Sequence, residues 1–394
     1  MRFIVNLLFY YPLVANLLNV QAFISKFISP AIAQLFAYTN MALLLVGIAV
    51  LIKKSQKFTP IIKLWIAFYI LYYMFAVFAN IGLGTSISFL NTLVSVVYFL
   101  AFAFLLSDSK EIVITSKVLA VSFFASCILL LVLKYYNFSL DHDGVYEYTL
   151  ERAGGVYGDA NNASLAAVMS FIFVYYCLKA NSNLEKLLKL FALVISAYAV
   201  FITFSKTGLV IFLLVLGLIF HKLFAPKKLL LALIFVPILI YTAFSWAEST
   251  DSLSEPQKER VKTIANIFTL NTKEVGLSDR DVLFQNMMLH VYERPILGNG
   301  IDFSNLIRGH NTIFGVWADA GILVFLLFLY ILIVYFKKSF DSKYEMRFFA
   351  LSILTTLFIF MMTLQTVRNQ GYLMVVFVML GYLLYQKKPF VNNK

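Results

Sequence analysis

The segment NLIRGHN, residues 305–311, brings together three side chains whose types could carry out group transfer. Arg308 is permanently charged, and its guanidinium matches the oxygens of a phosphate or carboxylate. His310 could take a proton directly from a hydroxyl group, because a neutral imidazole is a general base. Asn311 could orient the ring or a bound ligand. We predict His310 as the general base, while capping or interfacial packing stays open for a histidine at a helix start.

A second candidate for binding an anion is Arg152. It precedes Gly154, Gly155 and Gly158, and glycines let backbone N–H groups approach an anion closely. The Asp159-Ala-Asn-Asn run that follows can cap the next helix. The arginine could also be incidental to a plain entry into that helix.

A third candidate, Arg280, falls in the first turn of an amphipathic helix that we expect within residues 276–300 and that Pro295 should end. Its apolar face would comprise Val282, Leu283, Phe284, Met287, Met288 and Val291. Unpaired N–H groups and the helix dipole attract an anion at this position. Alternatively, Arg280 is solvated and pairs with Asp279 or Asp281.

Three more basic residues complete the predicted binding set. Lys206 lies in FSKTG, residues 204–208, between two closely spaced apolar segments, where it could contact the same anion or reach lipid head groups. Arg294 and Arg308 lie in the same long polar stretch as Arg280. We predict all three as candidate contacts to an anionic ligand.

A metal site is the weaker alternative. Asp141, His142 and Asp143 could ligate a divalent cation, but three residues in one acidic segment are a weak signal. We therefore predict a site without metal, and no glycine loop for a nucleotide or H-E-x-x-H pattern stands in the sequence.

The elements that must position these residues are membrane helices. Of the 394 residues, 61% are hydrophobic and 13% are charged, which excludes a water-soluble protein. A span needs about 20 mostly apolar residues, so we predict an all-α polytopic membrane protein with about 12 spans in a single transmembrane domain, residues 1–394. The apolar segments lie at 3–20, 31–52, 61–82, 86–106, 116–135, 160–180, 187–204, 208–225, 228–246, 311–336, 347–367 and 370–386.

Basic residues predict the orientation, because Lys and Arg in short loops resist translocation. Most of the 32 Lys and Arg residues fall on alternate segments, which places both termini in the cytoplasm and explains the net charge of +12 without a nucleic-acid partner. The first span reads as retained and not as a removed signal peptide. Two long loops face outward, residues 136–159 between spans 5 and 6 and residues 247–310 between spans 9 and 10. The outer loops other than 247–310 hold Lys26, Lys134, Arg152, Lys206 and Arg368.

This topology also sorts the remaining histidines. His142 and His290 lie outside with His310, in an acidic segment and on the expected loop helix, whereas His221 lies inside. His310 therefore stays the favoured base.

The order of motifs resembles the O-antigen ligase and O-antigen polymerase superfamily of bacterial envelope glycosyltransferases. It comprises R-x-G-G-x-x-G-D-x-N-N at 152–162, S-K-T-G at 205–208, S-D-R at 278–280, P-I-L-G-N-G-I at 295–301, R-G-H-N at 308–311 and then Gly321. The resemblance covers about residues 150–330 and implies a glycosyltransferase-C-like fold in the bacterial inner membrane with a periplasmic active site.

The resemblance also implies roles. The donor would be a glycan on undecaprenyl pyrophosphate, used without nucleotide sugar or metal, with Arg152 and Arg280 on the pyrophosphate and His310 as base. Lys206 departs from the arginine of the S-R-x-G form, which weakens a bidentate role. Val324 departs from the small or aromatic residue that ends the ligase form of the histidine motif, which favours a polymerase.

Three functions remain open at this point, with a protein O-oligosaccharyltransferase as a further choice of acceptor within the same fold. The favoured one is a polymerase that joins lipid-linked repeat units, with inversion at the anomeric carbon and a chain-length-determining co-polymerase as a further candidate partner. An O-antigen ligase would use the same donor and a lipid A core acceptor. A lipid-linked oligosaccharide flippase or other transporter fits the number of spans, but it should carry ionisable groups near the membrane midplane.

Overall fold

The computed structural model describes residues 2–52, 57–84, 90–138, 140, 152–221, 258 and 279–386, with the backbone alone at 90–91 and 279–281. Every regular element in these ranges is helical. We label them α1 (Arg2–Leu17), α2 (Val20–Phe27), α3 (Pro30–Leu51), α4 (Pro60–Leu83), α5 (Leu90–Leu105), α6 (Ser109–Tyr135), α7 (Ala160–Cys177), α8 (Asn183–Ile202), α9 (Lys206–Ile219), α10 (Asp279–Glu293), α11 (Phe303–Leu306), α12 (Thr312–Phe340), α13 (Tyr344–Thr363) and α14 (Gly371–Leu383).

Six of the described helices, α3, α4, α6, α7, α12 and α13, are long and apolar enough to cross a membrane. The pair α1 and α2 would add a seventh span as one element bent by 66°, since Asn19 between them adopts a left-handed conformation with φ 49°. Shorter apolar helices are α5, α9 and α14. The protein is therefore an all-helical, multi-pass membrane protein.

The predicted apolar segments coincide with helices wherever they fall on described residues, although the first is bent and several helices are shorter than predicted. The segment 228–246 lies outside the described residues. The full number of about 12 spans and the orientation of both termini stay predictions.

Aromatic residues fill the centre of the bundle. Trp65 of α4 packs against Phe328 of α12 and Phe377 of α14, with ring centroids 5.9 and 5.4 Å away. The indole N–H of Trp65 donates to the Tyr335 hydroxyl over 3.1 Å, and that hydroxyl donates to the Phe377 carbonyl over 2.7 Å. Polar atoms in this apolar core thus bond within the protein, as a lipid environment demands.

Helix α12 is broken at Gly321, which has φ 80° and ψ 178°. The Ile322 N–H that follows donates to the carbonyl of Pro295 over 2.9 Å. A Cβ at position 321 would overlap the carbonyl oxygen of Ile296. Glycine is required here both by the left-handed φ and by the close approach of the 295–300 turn.

The same turn also bonds to the other side of the break. The N–H groups of Asn299 and Gly300 donate to the carbonyls of Ala318 and Asp319 over 2.8 and 3.0 Å. These carbonyls face the break and need partners from outside the helix. The P-I-L-G-N-G-I segment is therefore built into the span.

Helix α10 confirms the helix expected within residues 276–300, and it ends at Glu293, before Pro295. Met287 and Val291 are fully buried against Ala318 of α12, with Phe284 and Met288 packed around them. Val282 of the predicted apolar face is instead 67% exposed. The helix is docked on the bundle through its second half.

The linkers between helices gather at what we call the polar end, defined by residues 152–159, 203–205, 294–311 and 364–370. Hydrogen bonds between these segments hold them together, as described below. All four are outer segments in the topology predicted from the alternation of basic residues, and the side of the membrane on which they lie stays a prediction.

Candidate functional site

Arg152 lies half-buried where α7, α8 and α9 meet. Its Nη2 donates to Asn161 Oδ1 over 3.4 Å and its Nε donates to the Thr203 carbonyl over 3.4 Å. The Ser205 hydroxyl donates to the same Asn161 oxygen over 2.8 Å. One amide oxygen therefore joins the R-x-G-G motif to the S-K-T-G motif.

The helix entries around Arg152 are built by local caps. Asp159 accepts from the N–H groups of Asn161 and Asn162 over 3.0 and 2.8 Å, which confirms the predicted cap of α7. Ser205 caps α9 by accepting from the Gly208 N–H over 3.1 Å. Lys206 is the first residue of α9 and is partly buried. The structure thus places the start of α9, with Lys206, beside the segment that carries Arg152.

The segment that carries His310 has a strained backbone. Asp302, Arg308 and His310 all have positive φ, at 58°, 54° and 48°. A Cβ on the intervening Gly309 would overlap the Met287 sulfur of α10. Left-handed conformations of residues other than glycine are unfavourable and cluster at functional sites. The R-G-H turn is held in a shape that its sequence does not prefer.

His310 is half-buried and is held through its backbone. Its N–H donates to Gln365 Oε1 over 3.1 Å, and Gln365 Nε2 donates to Asn305 Oδ1 over 2.8 Å. Gln365 belongs to the linker between α13 and α14. Arg308 is exposed, two residues before His310.

Asn311 is buried and caps α12. Its Oδ1 accepts from the Phe314 N–H over 3.0 Å, and its Nδ2 donates to the Met362 carbonyl over 3.4 Å. Both ends of the amide are thus engaged in starting the helix that follows His310. Its contribution to the site in this structure is to position that helix start.

The 364–370 linker forms hydrogen bonds both to the segment near Arg152 and to the segment that ends at His310. Gln370 Nε2 donates to Asn162 Oδ1 over 2.9 Å. Asn162 follows Asn161, the residue that accepts from Arg152. Asn369 Nδ2 donates to Asp302 Oδ1 over 2.7 Å, in the segment that ends at His310. Hydrogen bonds on both sides of the adjacent pairs Asn161–Asn162 and Asn369–Gln370 therefore link the segment around Arg152 to the segment around His310.

Arg368 of this linker is a site candidate that the sequence analysis missed. It is 6% exposed, and its Nη2 donates to Asp319 Oδ2 and to the Tyr72 hydroxyl, each over 3.0 Å. Burial alone would lower the pKa of the guanidinium, but Tyr72, Asp319 and Asp302 outweigh it and raise that pKa above its usual value. The available sequence signal was a basic residue in a short outer loop.

The remaining predicted residues are placed in part. Position 280 lies in the first turn of α10, as predicted, while its side chain lies outside the described residues. Arg294 follows α10 and is exposed. Asp141, His142 and Asp143 lie outside the described residues, and the described ones hold no group of three metal-ligating side chains.

Comparison with known families finds a match over about a third of the chain. Residues 191–329 match the family model described as O-antigen ligase. The predicted relation to the O-antigen ligase and polymerase superfamily is thus confirmed, and it supports a glycan-processing transferase with lipid-linked substrates. The match includes Lys206 and His310, whereas Arg152 and Arg368 lie on either side of it. No curated protein matches the sequence.

Proposed function

We propose that this member of the O-antigen ligase and polymerase superfamily is a polysaccharide polymerase in the bacterial inner membrane. It would transfer a growing O-antigen or capsular glycan from undecaprenyl pyrophosphate to a lipid-linked repeat unit on the periplasmic side. The observation that carries the proposal is a set of hydrogen bonds, continued through the adjacent pairs Asn161–Asn162 and Asn369–Gln370, that links Arg152 to the His310 turn at one end of the bundle.

The donor requires cations at the membrane boundary. Its pyrophosphate diester carries two negative charges and leaves readily once they are neutralised. Arg152 and Arg280 are the proposed contacts, and Lys206, Arg294 and Arg308 are further candidate contacts. Each charge-assisted hydrogen bond contributes about 1.5–3 kcal/mol. A half-buried Arg152 fits this role, because partial burial strengthens such bonds.

His310 supplies the proton transfer. Its imidazole takes the proton from a hydroxyl group of the acceptor sugar, and that oxygen attacks the anomeric carbon of the donor. The bond from this carbon to the pyrophosphate oxygen breaks, and undecaprenyl pyrophosphate leaves with the electron pair. Attack from the face opposite the leaving group inverts the anomeric configuration. No step requires a metal or other cofactor.

The strained R-G-H turn supports this assignment of the base. A histidine that served only to start α12 would not need the left-handed backbone at Arg308 and His310, since Asn311 already caps that helix. Strain of this kind persists where the surrounding structure fixes a functional geometry. Here Gln365, Met287 of α10 and the cap at Asn311 together provide that surrounding structure.

The choice of polymerase over ligase rests on Val324. This residue departs from the ligase form of the histidine motif, and it is fully buried three residues after the break in α12. A ligase that transfers the glycan to lipid A core is the second candidate, and the description of the matched family favours it.

Deletion of the gene tests the proposal. A polymerase predicts surface glycan with a single repeat unit on the lipid core, restored to long chains by the wild-type gene. Bare core, with polymer stranded on the carrier lipid, would identify a ligase instead. Unchanged chain length, or no product when purified protein receives lipid-linked repeat units both alone and together with lipid A core, would overturn both glycosyl-transfer functions and favour a transporter.

A further inference from the structure

We infer that Arg368 is a positioning residue for the transfer reaction, because its buried pair with Asp319 holds the His310 turn in its working shape. This inference rests on the proposed function for the role of His310. It adds a contribution from the 364–370 linker, which lies outside the stretch that matches the family model.

The first step is the pair itself. Arg368 Nη2 reaches Asp319 Oδ2 and the Tyr72 hydroxyl, and that hydroxyl also donates to Asp319 Oδ2 over 2.9 Å. The guanidinium carbon lies 4.2 Å from the centre of the Tyr72 ring. Asp319 is fully buried. One cation therefore joins α4, α12 and the linker before α14.

The second step leads from the pair to the strained segment. Asp319 Oδ1 accepts from the Ser304 N–H over 2.7 Å, and the Tyr72 hydroxyl accepts from the Asp302 N–H over 3.1 Å. Asp302 and Ser304 begin the segment that ends at His310. Asp319 sits two residues before Gly321, so its carboxylate is presented where α12 is broken. The Arg368 pair thus fixes one end of that segment.

The third step leads from the linker to the other end of the segment. Three residues before Arg368, Gln365 accepts from the His310 N–H and donates to Asn305. Asn369, the residue after Arg368, donates to Asp302. If Arg368 lost its hold on Asp319, both contacts would be released together, and His310 would be free to leave its left-handed conformation.

The chemistry of the pair indicates a role other than stability. Nη1 of Arg368 is buried and has no hydrogen-bond partner among the described residues. A buried donor without a partner is costly, and a buried ion pair is often no more stable than apolar residues of the same volume. In some proteins a buried pair of this kind selects one conformation. The conformation that this pair selects includes the His310 turn.

The test compares variants of the purified full-length protein that act on lipid-linked repeat units extracted from cells that lack the gene. Arg368→Met should lower kcat by up to about 100-fold, the effect of a misplaced catalytic group, with little change in the KM for the donor. Arg368→Lys should recover much of the loss, because a single ammonium can replace the one nitrogen that makes both bonds. Arg347→Met is the matched control, since Arg347 is also partly buried with an unpartnered Nε among the described residues, at the opposite end of α13.

A second measurement does not depend on activity. Hydrogen exchange in Arg368→Met should speed up in peptides that cover residues 302–311, while peptides from α6 and α8 exchange as in the wild type. Normal kcat in Arg368→Met, or lost kcat with unchanged exchange at 302–311, would overturn the inference. Faster exchange at 302–311 in Arg368→Met, combined with a wild type that makes no product from these substrates, would leave the positioning intact and contradict the proposed function instead.

Discussion

The ion pairs at the two ends of the bundle differ in burial and in what they join. Away from the polar end, Arg2 pairs with Glu111 over 2.7 Å, and the two side chains are 44% and 16% exposed. At the polar end, Arg368 pairs with Asp319 over 3.0 Å, and these side chains are 6% and 0% exposed. The first pair connects the start of α1 to the start of α6. The second pair connects the 364–370 linker to the broken helix α12, which bonds to the strained turn.

Polar groups at helix ends show the same contrast. At the end of α7 remote from the polar end, Lys189 donates to the carbonyls of Tyr175 and Leu178, which is a local cap. At the polar end, side-chain amides bond to other side-chain amides far along the sequence, as Gln370 does to Asn162. The remote end is accounted for by helix capping and membrane orientation, while the polar end carries structure that these needs do not explain.

The largest effect should come from His310→Ala. Removal of the base should lower the rate of glycan transfer by about 10²–10⁴-fold, as for other general bases. The rate is measured with purified protein and lipid-linked repeat units. His290→Ala is the control, because His290 lies on α10 at the same end and pairs with Glu293. Equal loss in both variants would contradict a specific role for His310.

The broken helix predicts the next effect. Gly321→Ala places a Cβ against the Ile296 carbonyl at a left-handed φ, so it should destabilise the protein by about 2–5 kcal/mol and reduce transfer. Thermal unfolding in detergent measures the change. Gly217→Ala in α9 is the control, because a Cβ there meets no described atom within 4 Å and alanine favours a helix. A stable Gly321→Ala would show that the break is not required.

A smaller loss is expected for Arg152→Ala. Removal of one charge-assisted contact to the pyrophosphate should cost about 1.5–3 kcal/mol of transition-state stabilisation, or about 10- to 100-fold in kcat/KM. Arg347→Ala at the remote end of α13 is the control and should stay near the wild-type value. Arg152→Ala with normal kcat/KM would remove Arg152 from the donor site.

The smallest effect belongs to the exposed pair. Arg2→Ala should change stability by less than about 1 kcal/mol, since exposed ion pairs contribute little. Thermal unfolding with and without added salt checks this value. A larger loss that salt does not reduce would mean that the two ends of the bundle are not as different as described here.

The features that follow from short stretches of sequence were predictable. Asp159 caps α7 and α10 ends before Pro295 because both depend on neighbours within a few residues. The four segments of the polar end are also outer segments in the topology predicted from basic residues, and that topology stays a prediction.

The contacts between distant segments were not predictable. Arg368 lies 49 residues from Asp319 and 296 from Tyr72, and no local pattern specifies that pairing. Gly321 was visible as part of a motif, but the break in α12 depends on the docked 295–300 turn. The amide network through Gln365 and Gln370 was missed for the same reason.

The most direct test of the central claim separates binding from transfer at the polar end. Purified wild type, Arg152→Ala and His310→Ala are titrated with lipid-linked repeat units, and donor binding is measured alongside product formation. We expect His310→Ala to bind the donor like the wild type and to make almost no product, whereas Arg152→Ala should bind the donor more weakly. Equal donor binding by wild type and Arg152→Ala, or continued product formation by His310→Ala, would contradict it.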